Sequence, residues 1–504
     1  MTIHMLTRLR VSGFKNLIDL DVSFGPFTCI AGANGVGKSN LLDAIVFLSA
    51  LADRPLIDAA LAVRDQGAQT GDIRGLFHHV GEHFSPEMTF EAEMIIPERG
   101  TDDLGQSAKA SSTFVEYAVS LRYREDATGL ALGSVELVKE ELKHIPLNKS
   151  ARNLRFDHSK EWRNKMVTNA RRTPWYISTD DDGRGRVINV HQDGGSSGKP
   201  QKLKASNLPR TILSAANSAE SPTATLVKRE MQAWRLLQLE PSSLREPDSF
   251  TAPVKLGIDG AHLPAALYHL ANGSGKNDAA AVYSEVANRV GQLINDVRSV
   301  YVDRDERRQL LTAYVTGRDG TRYPARSLSD GTLRFLALSV LSLDPEPQGV
   351  ICMEEPENGI HPERIPAMIQ LLRDLTTDVT ASEFEGEAHA SRQVIINTHS
   401  PSVVMQVPDD SLLVADLVEV VKDERSFRTF QLRCLPDTWR AKADLAKQIP
   451  RGQLLGYLNP ISAEDGYAHD GSSNGSVNGK RHNRRVIDRE DLRQYKIPFA
   501  ETAE

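Results

Sequence analysis

A glycine-rich segment, Gly32-Ala-Asn-Gly-Val-Gly-Lys-Ser39, constrains the fold of this 504-residue chain more than any other feature. It has the spacing G-x-x-x-x-G-K-[ST], in which glycines allow the backbone to wrap closely around an anion. The apolar run Phe27–Ala31 precedes it, and Leu41, Ile45 and Leu48 follow at helical spacing. A strand, a glycine loop and a helix N-terminus in this order predict a phosphate-binding loop in an α/β fold. The alternative is a glycine-rich turn that binds nothing.

Three parts of this loop have separate predicted roles. The loop amides point at the phosphates of a bound nucleotide, and Lys38 neutralises the β and γ oxygens. The hydroxyl of Ser39 is predicted to ligate Mg²⁺. The residues predicted to contact the nucleotide are Asn34, Gly35, Val36, Gly37, Lys38, Ser39 and Asn40.

A second candidate element is an acidic run at the end of an apolar segment. The run Gly349-Val-Ile-Cys-Met353 is typical of a buried parallel strand, and Glu354-Glu-Pro-Glu357 follows it. Carboxylates at the end of a buried strand are costly unless they serve a cation or a water molecule. Beside a phosphate loop, Glu354 is predicted to bind the metal and Glu355 to activate the attacking water. The alternative is an acidic surface turn.

Two further segments are weaker candidates when each is taken alone. Ser329 and Asp330 can cap a helix, and Gly331 leaves the first amides of that helix open to an anion. A capped helix without a ligand is the simpler interpretation of that segment. His399 follows a second apolar strand, Gln393–Asn397, and can either contact a γ-phosphate or serve the structure.

Together these segments resemble the ABC-type ATPase heads of the SMC/RecF class, in particular the RecF-like and OLD-like ATPases. The resemblance covers roughly residues 1–125 and 300–415. It rests on segments that occur in the same order in that class: Phe14-Lys-Asn-Leu17, Gly32–Ser39, Leu328-Ser-Asp-Gly-Thr332, Glu354-Glu-Pro-Glu357 with His361-Pro362, and Thr398-His-Ser-Pro401.

The resemblance implies ATP and Mg²⁺ as cofactors and a homodimer of heads, or a higher oligomer. It implies a signature element at Ser329, Asp330 and Gly331, which would touch the γ-phosphate bound by the other subunit. It also implies that Glu355 is catalytic and that His399 is a switch residue. The expected fold class is therefore an α/β P-loop NTPase of ABC-ATPase type with a mixed α+β insertion between the two lobes.

Two features depart from the family pattern. The first acid of the acidic run is usually Asp in this class, and here it is Glu354. The glutamine of the Q-loop cannot be placed from the sequence. Gln66 and Gln69 are candidates, and the segment Arg74–His79 is an alternative location.

The chain divides into predicted units at 1–125, 126–300, 301–415, 416–460 and 461–504. The first and third are the two lobes, the second is the insertion, the fourth is an extension and the fifth is a disordered basic tail. Strands are expected at 114–123, 135–143, 187–191 and 426–435, and helices at 227–237, 282–293 and 439–448. No sustained heptads occur, so a long coiled coil is not expected.

One segment of the insertion is a candidate for nucleic-acid contact. Residues 149–172 hold eight basic residues against two acids, with Trp162, Trp175 and Tyr176 within or beside them. Basic and aromatic side chains together suit a nucleic-acid backbone with stacked bases. A solvated helix face is the alternative.

Composition excludes several other classes. The net charge of −7 argues against a polybasic nucleic-acid binder. Cys29, Cys352 and Cys434 form no C-x-x-C pair, which excludes a disulfide scaffold and a zinc finger. The N-terminus has no apolar signal segment, and the most apolar run, Leu333–Leu343, is too short to span a membrane. A cytoplasmic protein without membrane contact is expected.

Three functions remain open. The first is an ATPase whose heads dimerise on ATP to control a DNA transaction or a partner effector, in phage defence or DNA repair. The second is a RecF-like DNA clamp with slow turnover, and the third is a transporter nucleotide-binding subunit. No Asp-x-Asp pair follows residue 415, so no nuclease is expected in this chain and a separately encoded nuclease or effector is the expected partner.

Overall fold

The computed structural model describes residues 4–458, apart from 64–72, 126–132, 172, 182, 184, 194–198, 274–278, 295, 346–348, 381–391 and 423–424, together with residue 486. Its strands are β1 Met5–Ser12, β2 Leu20–Ser23, β3 Phe27–Ala31, β4 His79–Val80, β5 His83–Phe84, β6 Glu87–Ile95, β7 Arg99–Thr101, β8 Ser107–Lys109, β9 Phe114–Arg124, β10 Ser134–His144, β11 Trp175–Asp181, β12 Arg186–Val190, β13 Gln201–Lys204, β14 Arg235–Leu237, β15 Asp248–Ser249, β16 Val297–Asp305, β17 Leu310–Gly317, β18 Arg322–Pro324, β19 Val350–Glu354, β20 Gln393–Thr398, β21 Leu412–Lys422, β22 Arg425–Cys434 and β23 Lys447–Gln448. Its α-helices are α1 Lys38–Leu51, α2 Leu56–Leu61, α3 Leu147–Asn153, α4 Lys160–Met166, α5 Pro222–Gln232, α6 Pro241–Arg245, α7 Leu263–Asn272, α8 Ala279–Leu293, α9 Asp330–Leu343, α10 Ile365–Asp374, α11 Pro401–Gln406, α12 Trp439–Lys442 and α13 Arg451–Leu458.

The site is built on a sheet with the strand order β14-β19-β20-β3-β21-β22-β23. The strands from β14 to β21 run parallel, and β22 pairs antiparallel with β21. Every residue of β3 is buried, as expected for a parallel strand that is covered on both faces. The predicted strands at 27–31 and 349–353 therefore lie in one sheet, two positions apart.

A second sheet is antiparallel and has the order β13-β12-β11-β10-β9-β6-β1-β2. Helix α1 lies between the two sheets, and residues on several of its sides are buried. Phe47 of this helix stacks on Phe14 with ring centroids 5.9 Å apart, and both rings contact Phe90 at 5.4 Å. This aromatic cluster holds the helix that follows the phosphate loop.

Strands from the predicted insertion extend both of these sheets. β9 and β10, which flank residue 125, pair along most of their length, and β14 pairs in parallel with β19. A third sheet of β15, β17, β16 and β18 packs against α7, α8 and α9. The predicted unit boundaries remain predictions, but the segment 126–300 adds strands to each lobe.

Two predicted helices are wrong in extent. The helix expected at 227–237 ends at Gln232, and Arg235–Leu237 is an edge strand, because these residues pair with the buried strand β19. The helix expected at 439–448 ends at Lys442, and Lys447–Gln448 pairs with β22. The predicted disordered basic tail, 461–504, lies outside the described residues except for residue 486.

A buried carboxyl, Glu140 of β10, binds the segment at Ile212 and Leu213 within the insertion. It accepts hydrogen bonds from the backbone amides of Ile212 at 2.7 Å and Leu213 at 2.8 Å, and from the hydroxyl of Tyr117 at 3.2 Å. Burial raises its pKa to about 7, although these hydrogen bonds oppose the shift. The native state therefore binds a proton at pH values where the unfolded chain has lost it.

We predict that stability falls as pH rises from about 4.5 to about 7, and that Glu140→Gln removes this loss. The slope expected from one such group is about 1.4 kcal/mol per pH unit within that window. Urea unfolding at several pH values measures it, with Glu136→Gln on the same strand as the control. A Glu140→Gln variant with the wild-type pH slope would contradict this assignment.

Candidate nucleotide site

The predicted phosphate loop connects β3 to α1, and its backbone has the shape that its glycines permit. Gly35 and Gly37 have φ values of +78° and +108°, in the region that favours glycine. Helix α1 begins at Lys38, and its N-cap residue, Gly37, has no side chain that could cap the first amides. Its first amides are therefore open to an anion, which is the arrangement a bound phosphate requires.

Lys38 is folded back along this loop. Its Nζ donates hydrogen bonds to the carbonyl oxygens of Gly32 at 2.8 Å and Ala33 at 2.9 Å, and the residue is only 5% exposed. Burial lowers the pKa of the ammonium, and the nearby charges of Glu355, Glu357 and Glu354 oppose this shift. A phosphate oxygen would stabilise this buried cation, so the loop fits an anionic ligand.

The side chain of Asn16 bridges two residues of the phosphate-loop region, Val36 and Asn40. Its Nδ2 donates to the carbonyl oxygen of Val36 at 2.9 Å, and its Oδ1 accepts from Nδ2 of Asn40 at 2.8 Å. A Cβ on Gly37 would lie 2.2 Å from Asn16 Nδ2. The segment around Asn16, which the sequence marks only by resemblance, thus has a physical role in shaping the phosphate loop.

The acidic run begins where the sequence places it. Glu354 is the last residue of β19, and Glu355 follows with a φ of +45°. The amide of Glu355 donates to the backbone oxygen of Asn397 at 3.1 Å and to its side-chain Oδ1 at 3.0 Å. These bonds hold the turn that follows β19.

Glu355 is held by two side chains. Nδ2 of Asn358 donates to its Oε2, and Nδ1 of His399 lies against its Oε1, both at 2.9 Å. Burial raises the pKa of Glu355, but the hydrogen bonds from Asn358 and His399 and the charge of Lys38 outweigh burial and lower it. The group is therefore an oriented carboxylate, able to accept a proton from water.

Ser39, Glu354 and Glu355 line one cavity of about 330 Å³, together with Gln238 and Asn397. A hydroxyl and a carboxylate oxygen are the donor types that Mg²⁺ prefers, so these residues fit that ion. Asn397 and Gln238 each direct an amide nitrogen at Glu354, at 3.4 Å. The cavity thus lies between the start of α1 and the end of β19.

Gln238 also belongs to the site, although no motif in the sequence predicts it. It follows β14, beside β19, and therefore reaches the same sheet edge as Glu354. Gln66 and Gln69 lie outside the described residues, and His78 of the alternative segment contacts the carbonyl oxygen of Lys15 instead. The only sequence signal was the short apolar run before Gln238, which resembles the end of a helix.

The signature segment forms the start of α9. Ser329 caps this helix by accepting from the amide of Thr332 at 3.3 Å, and Asp330 accepts from Arg245 of α6 at 2.5 Å. A Cβ on Gly331 would lie 3.0 Å from the carbonyl oxygen of Gly359. Ser329 and Asp330 are exposed, and within the described part of the chain they are not among the residues that line the cavity at Ser39.

Comparison with known proteins identifies the family. A model described as "AAA domain, putative AbiEii toxin, Type IV TA system" matches residues 27–405, which is most of the chain. The chain belongs to this family. The matched range contains the phosphate loop, the signature segment, the acidic run and His399.

Curated relatives match over shorter stretches. The RecF protein of Clavibacter sepedonicus is 35% identical over 85 residues, which is 17% of this chain and 21% of that protein. The Rad50 ATPase of Halobacterium salinarum is 46% identical over 77 residues, 15% of this chain and 8% of that protein. The OLD nuclease of Thermus scotoductus is 51% identical over 41 residues, 8% of each. The chain thus spans about a fifth or less of these relatives, and the resemblance to RecF/OLD-like ATPases is confirmed.

A solved Smc head domain from Pyrococcus furiosus, bound to the C-terminal domain of ScpA, is also similar. It is 11% identical with a TM-score of 0.42, and the match covers 86% of this chain and 97% of that one. Within the described residues, no helix has the length and apolar character needed to cross a membrane. The fold is an α/β P-loop ATPase fold of the ABC type.

The structure argues against base stacking by the segment that was predicted to contact nucleic acid. Trp162 and Tyr176 are 0% and 2% exposed, so neither ring is available to stack on a base. Arg171 pairs with Asp193 at 3.0 Å and donates to the carbonyl oxygen of Trp175, and Arg172 lies outside the described residues. The exposed basic residues that remain are Lys149, Arg152, Lys160 and Lys165.

We predict that Gly37→Ala reduces affinity for a labelled ATP analogue at least tenfold more than Gly35→Ala does. Both changes place an alanine at positive φ, at a cost of roughly 1–2 kcal/mol. Only the Cβ at position 37 also meets Asn16, while the one at position 35 has nothing within 4 Å. Thermal unfolding checks that both variants fold. Equal losses of ATP affinity in the two variants would refute the role of Asn16 in shaping the phosphate loop.

Proposed function

We propose that the protein binds and hydrolyses ATP with Mg²⁺, and that Glu355 is the base that activates water. The observation that carries this proposal is the Glu355 carboxylate, which His399 and Asn358 hold at 2.9 Å beside the cavity of Ser39 and Glu354. Family membership supports an ATPase of this kind.

Each residue has a distinct task in this proposal. The loop amides and Lys38 bind the β- and γ-phosphates, with Lys38 leaving the carbonyl oxygens that it contacts here. Ser39 and Glu354 hold Mg²⁺, which when bound neutralises phosphate charge. Glu355 accepts the proton of the attacking water, and the N–H at Nδ1 of His399 orients its carboxylate. Gln238, beside Glu354, is the proposed Q-loop glutamine.

The proposed active unit is a dimer of heads. Ser329 and Asp330 are exposed and, in the described part of the chain, are not among the residues around the cavity at Ser39. The signature of one subunit would therefore complete the site of the other, so that ATP holds the heads together and hydrolysis releases them.

The proposed setting is cytoplasmic, in DNA repair or phage defence, with a separately encoded nuclease or effector as partner. Relatives named as RecF, Rad50 and OLD nuclease support this setting. A DNA clamp with slow turnover is the second candidate, favoured by the exposed basic residues of 149–165. The two candidates predict different behaviour. The first is expected to show mainly ATP turnover, and the DNA clamp is expected to show mainly ATP-dependent DNA binding.

We predict that Glu355→Gln binds ATP but hydrolyses it at least a hundredfold more slowly, because the amide keeps the shape and loses the basicity. Lys38→Ala is expected to lose ATP binding itself. Phosphate release and binding of a labelled ATP analogue separate the two effects. Glu363→Gln, an exposed acid nearby, is the matched control. Near-normal turnover by Glu355→Gln would reject the base assignment.

We predict that Ser329→Arg blocks the ATP-linked pairing of heads and reduces turnover at least tenfold, while each head still binds ATP. Light scattering with ATP and Mg²⁺, in the slow Glu355→Gln background, measures the pairing. Thr321→Arg, in the turn between β17 and β18, is the control for an added surface charge. Normal turnover by Ser329→Arg would exclude a shared site.

A further inference from the structure

The last acid of the acidic run, Glu357, has no role in the mechanism above. It is 7% exposed, and its Oε1 accepts a short hydrogen bond from the hydroxyl of Thr398. Its Oε2 is buried and has no hydrogen-bond partner within the described residues. A buried carboxyl with one unmade hydrogen bond is costly to retain, so a second partner is expected.

Thr398 connects Glu357 to two parts of the nucleotide site. Its hydroxyl, which donates to Glu357, accepts from the amide of Ser400 at 2.9 Å. Its backbone oxygen accepts from the amide of Gly32 at 3.2 Å, at the start of the phosphate loop. One residue thus fixes both the turn that carries His399 and the first residue of the loop.

The position of His399 follows from this turn. Thr398 and Ser400, on either side of it, are joined by the hydroxyl-to-amide bond, and Nδ1 of His399 lies 2.9 Å from Glu355. Removing the carboxyl of Glu357 would free the Thr398 hydroxyl to rotate away from Ser400. The His399 ring would then lose its fixed position against the proposed base.

A second buried polar group belongs to helix α13. The hydroxyl of Tyr457 is buried and, in the described part of the chain, has no hydrogen-bond partner. Burial and then the charge of Cys29 raise the pKa of this hydroxyl, the backbone amide of Gly32 opposes the shift, and the charges of Glu357 and Glu355 add to it. Leu454 of the same helix is 3% exposed in the core beside β3. The ring of Tyr457 packs against the core cluster that contains Ala31 and Met353, the strand residues that precede the phosphate loop and the acidic run.

We propose that Glu357 is a positioning residue for hydrolysis, which acts through Thr398 and His399 on Glu355, and that Tyr457 supplies the second hydrogen bond of Glu357. That bond is made directly or through one water molecule. The inference rests on the proposed ATPase function. In this arrangement a change at Tyr457 of α13 alters turnover through Glu357.

The test compares turnover and ATP binding in purified full-length variants. Glu357→Ala and Thr398→Val are each expected to lower kcat at least fivefold, with KM and affinity for a labelled ATP analogue within twofold of wild type. Glu357→Gln and Thr398→Ser keep the hydrogen-bonding groups and are expected to retain at least half of kcat. Because Gln removes the charge, this rescue separates hydrogen bonding from electrostatics.

The part of Tyr457 is tested by Tyr457→Phe, which keeps the ring and removes only the hydroxyl. It is expected to lower kcat at least twofold in the wild type and to have no further effect in Glu357→Ala, since both changes break one chain of contacts. Tyr323→Phe, on the exposed strand β18, is the control.

The outcomes distinguish this inference from the proposed function. If the wild type shows no turnover that depends on Glu355, the ATPase function fails and the inference fails with it. If the wild type turns over but Glu357→Ala loses less than fivefold, or loses ATP affinity instead, only the inference is overturned. An unchanged kcat in Tyr457→Phe, or additive losses in the double variant, overturns the role of Tyr457.

Discussion

The parallel pairing of β19, β20 and β3 is the constraint on which the site depends. In this register Glu354 lies opposite Asn397, and Thr398 lies opposite Ala31. The carboxyl ends of parallel strands meet at one edge, where helix starts and polar turns converge. Segments more than 300 residues apart in sequence therefore deliver the phosphate loop, the acidic run and His399 to the same place.

The edge strand β14 extends this arrangement to the insertion. Its residues pair with β19, so Gln238 reaches Glu354, and α6 then carries Arg245 to Asp330 at the start of the signature helix. A short stretch of the insertion thus contacts both the cavity and the segment proposed to serve the partner subunit. The insertion is in this respect part of the ATPase architecture.

Local patterns predicted the elements that carry the chemistry. Phe27–Ala31 is the strand expected from its apolar run, and Glu354 ends β19 as expected, because continuous apolar runs before glycines or acids have few alternatives in an α/β fold. Gln238 was missed because β14 has three residues and is stabilised by pairing with a distant strand. Trp162 was misjudged because periodicity does not reveal which side of a seven-residue helix is covered.

The folded-back position of Lys38 has a consequence for ligand entry. Its ammonium already donates two hydrogen bonds, to the carbonyl oxygens of Gly32 and Ala33. An incoming triphosphate must therefore compete with these carbonyl oxygens for the lysine. Breaking the two internal bonds offsets part of the attraction between the phosphates and the ammonium. This exchange distinguishes ligands by length: a nucleotide whose phosphates reach Lys38 replaces these two bonds with bonds to phosphate oxygens, whereas a shorter anion that stops at the helix amides leaves them intact and gains nothing from the lysine.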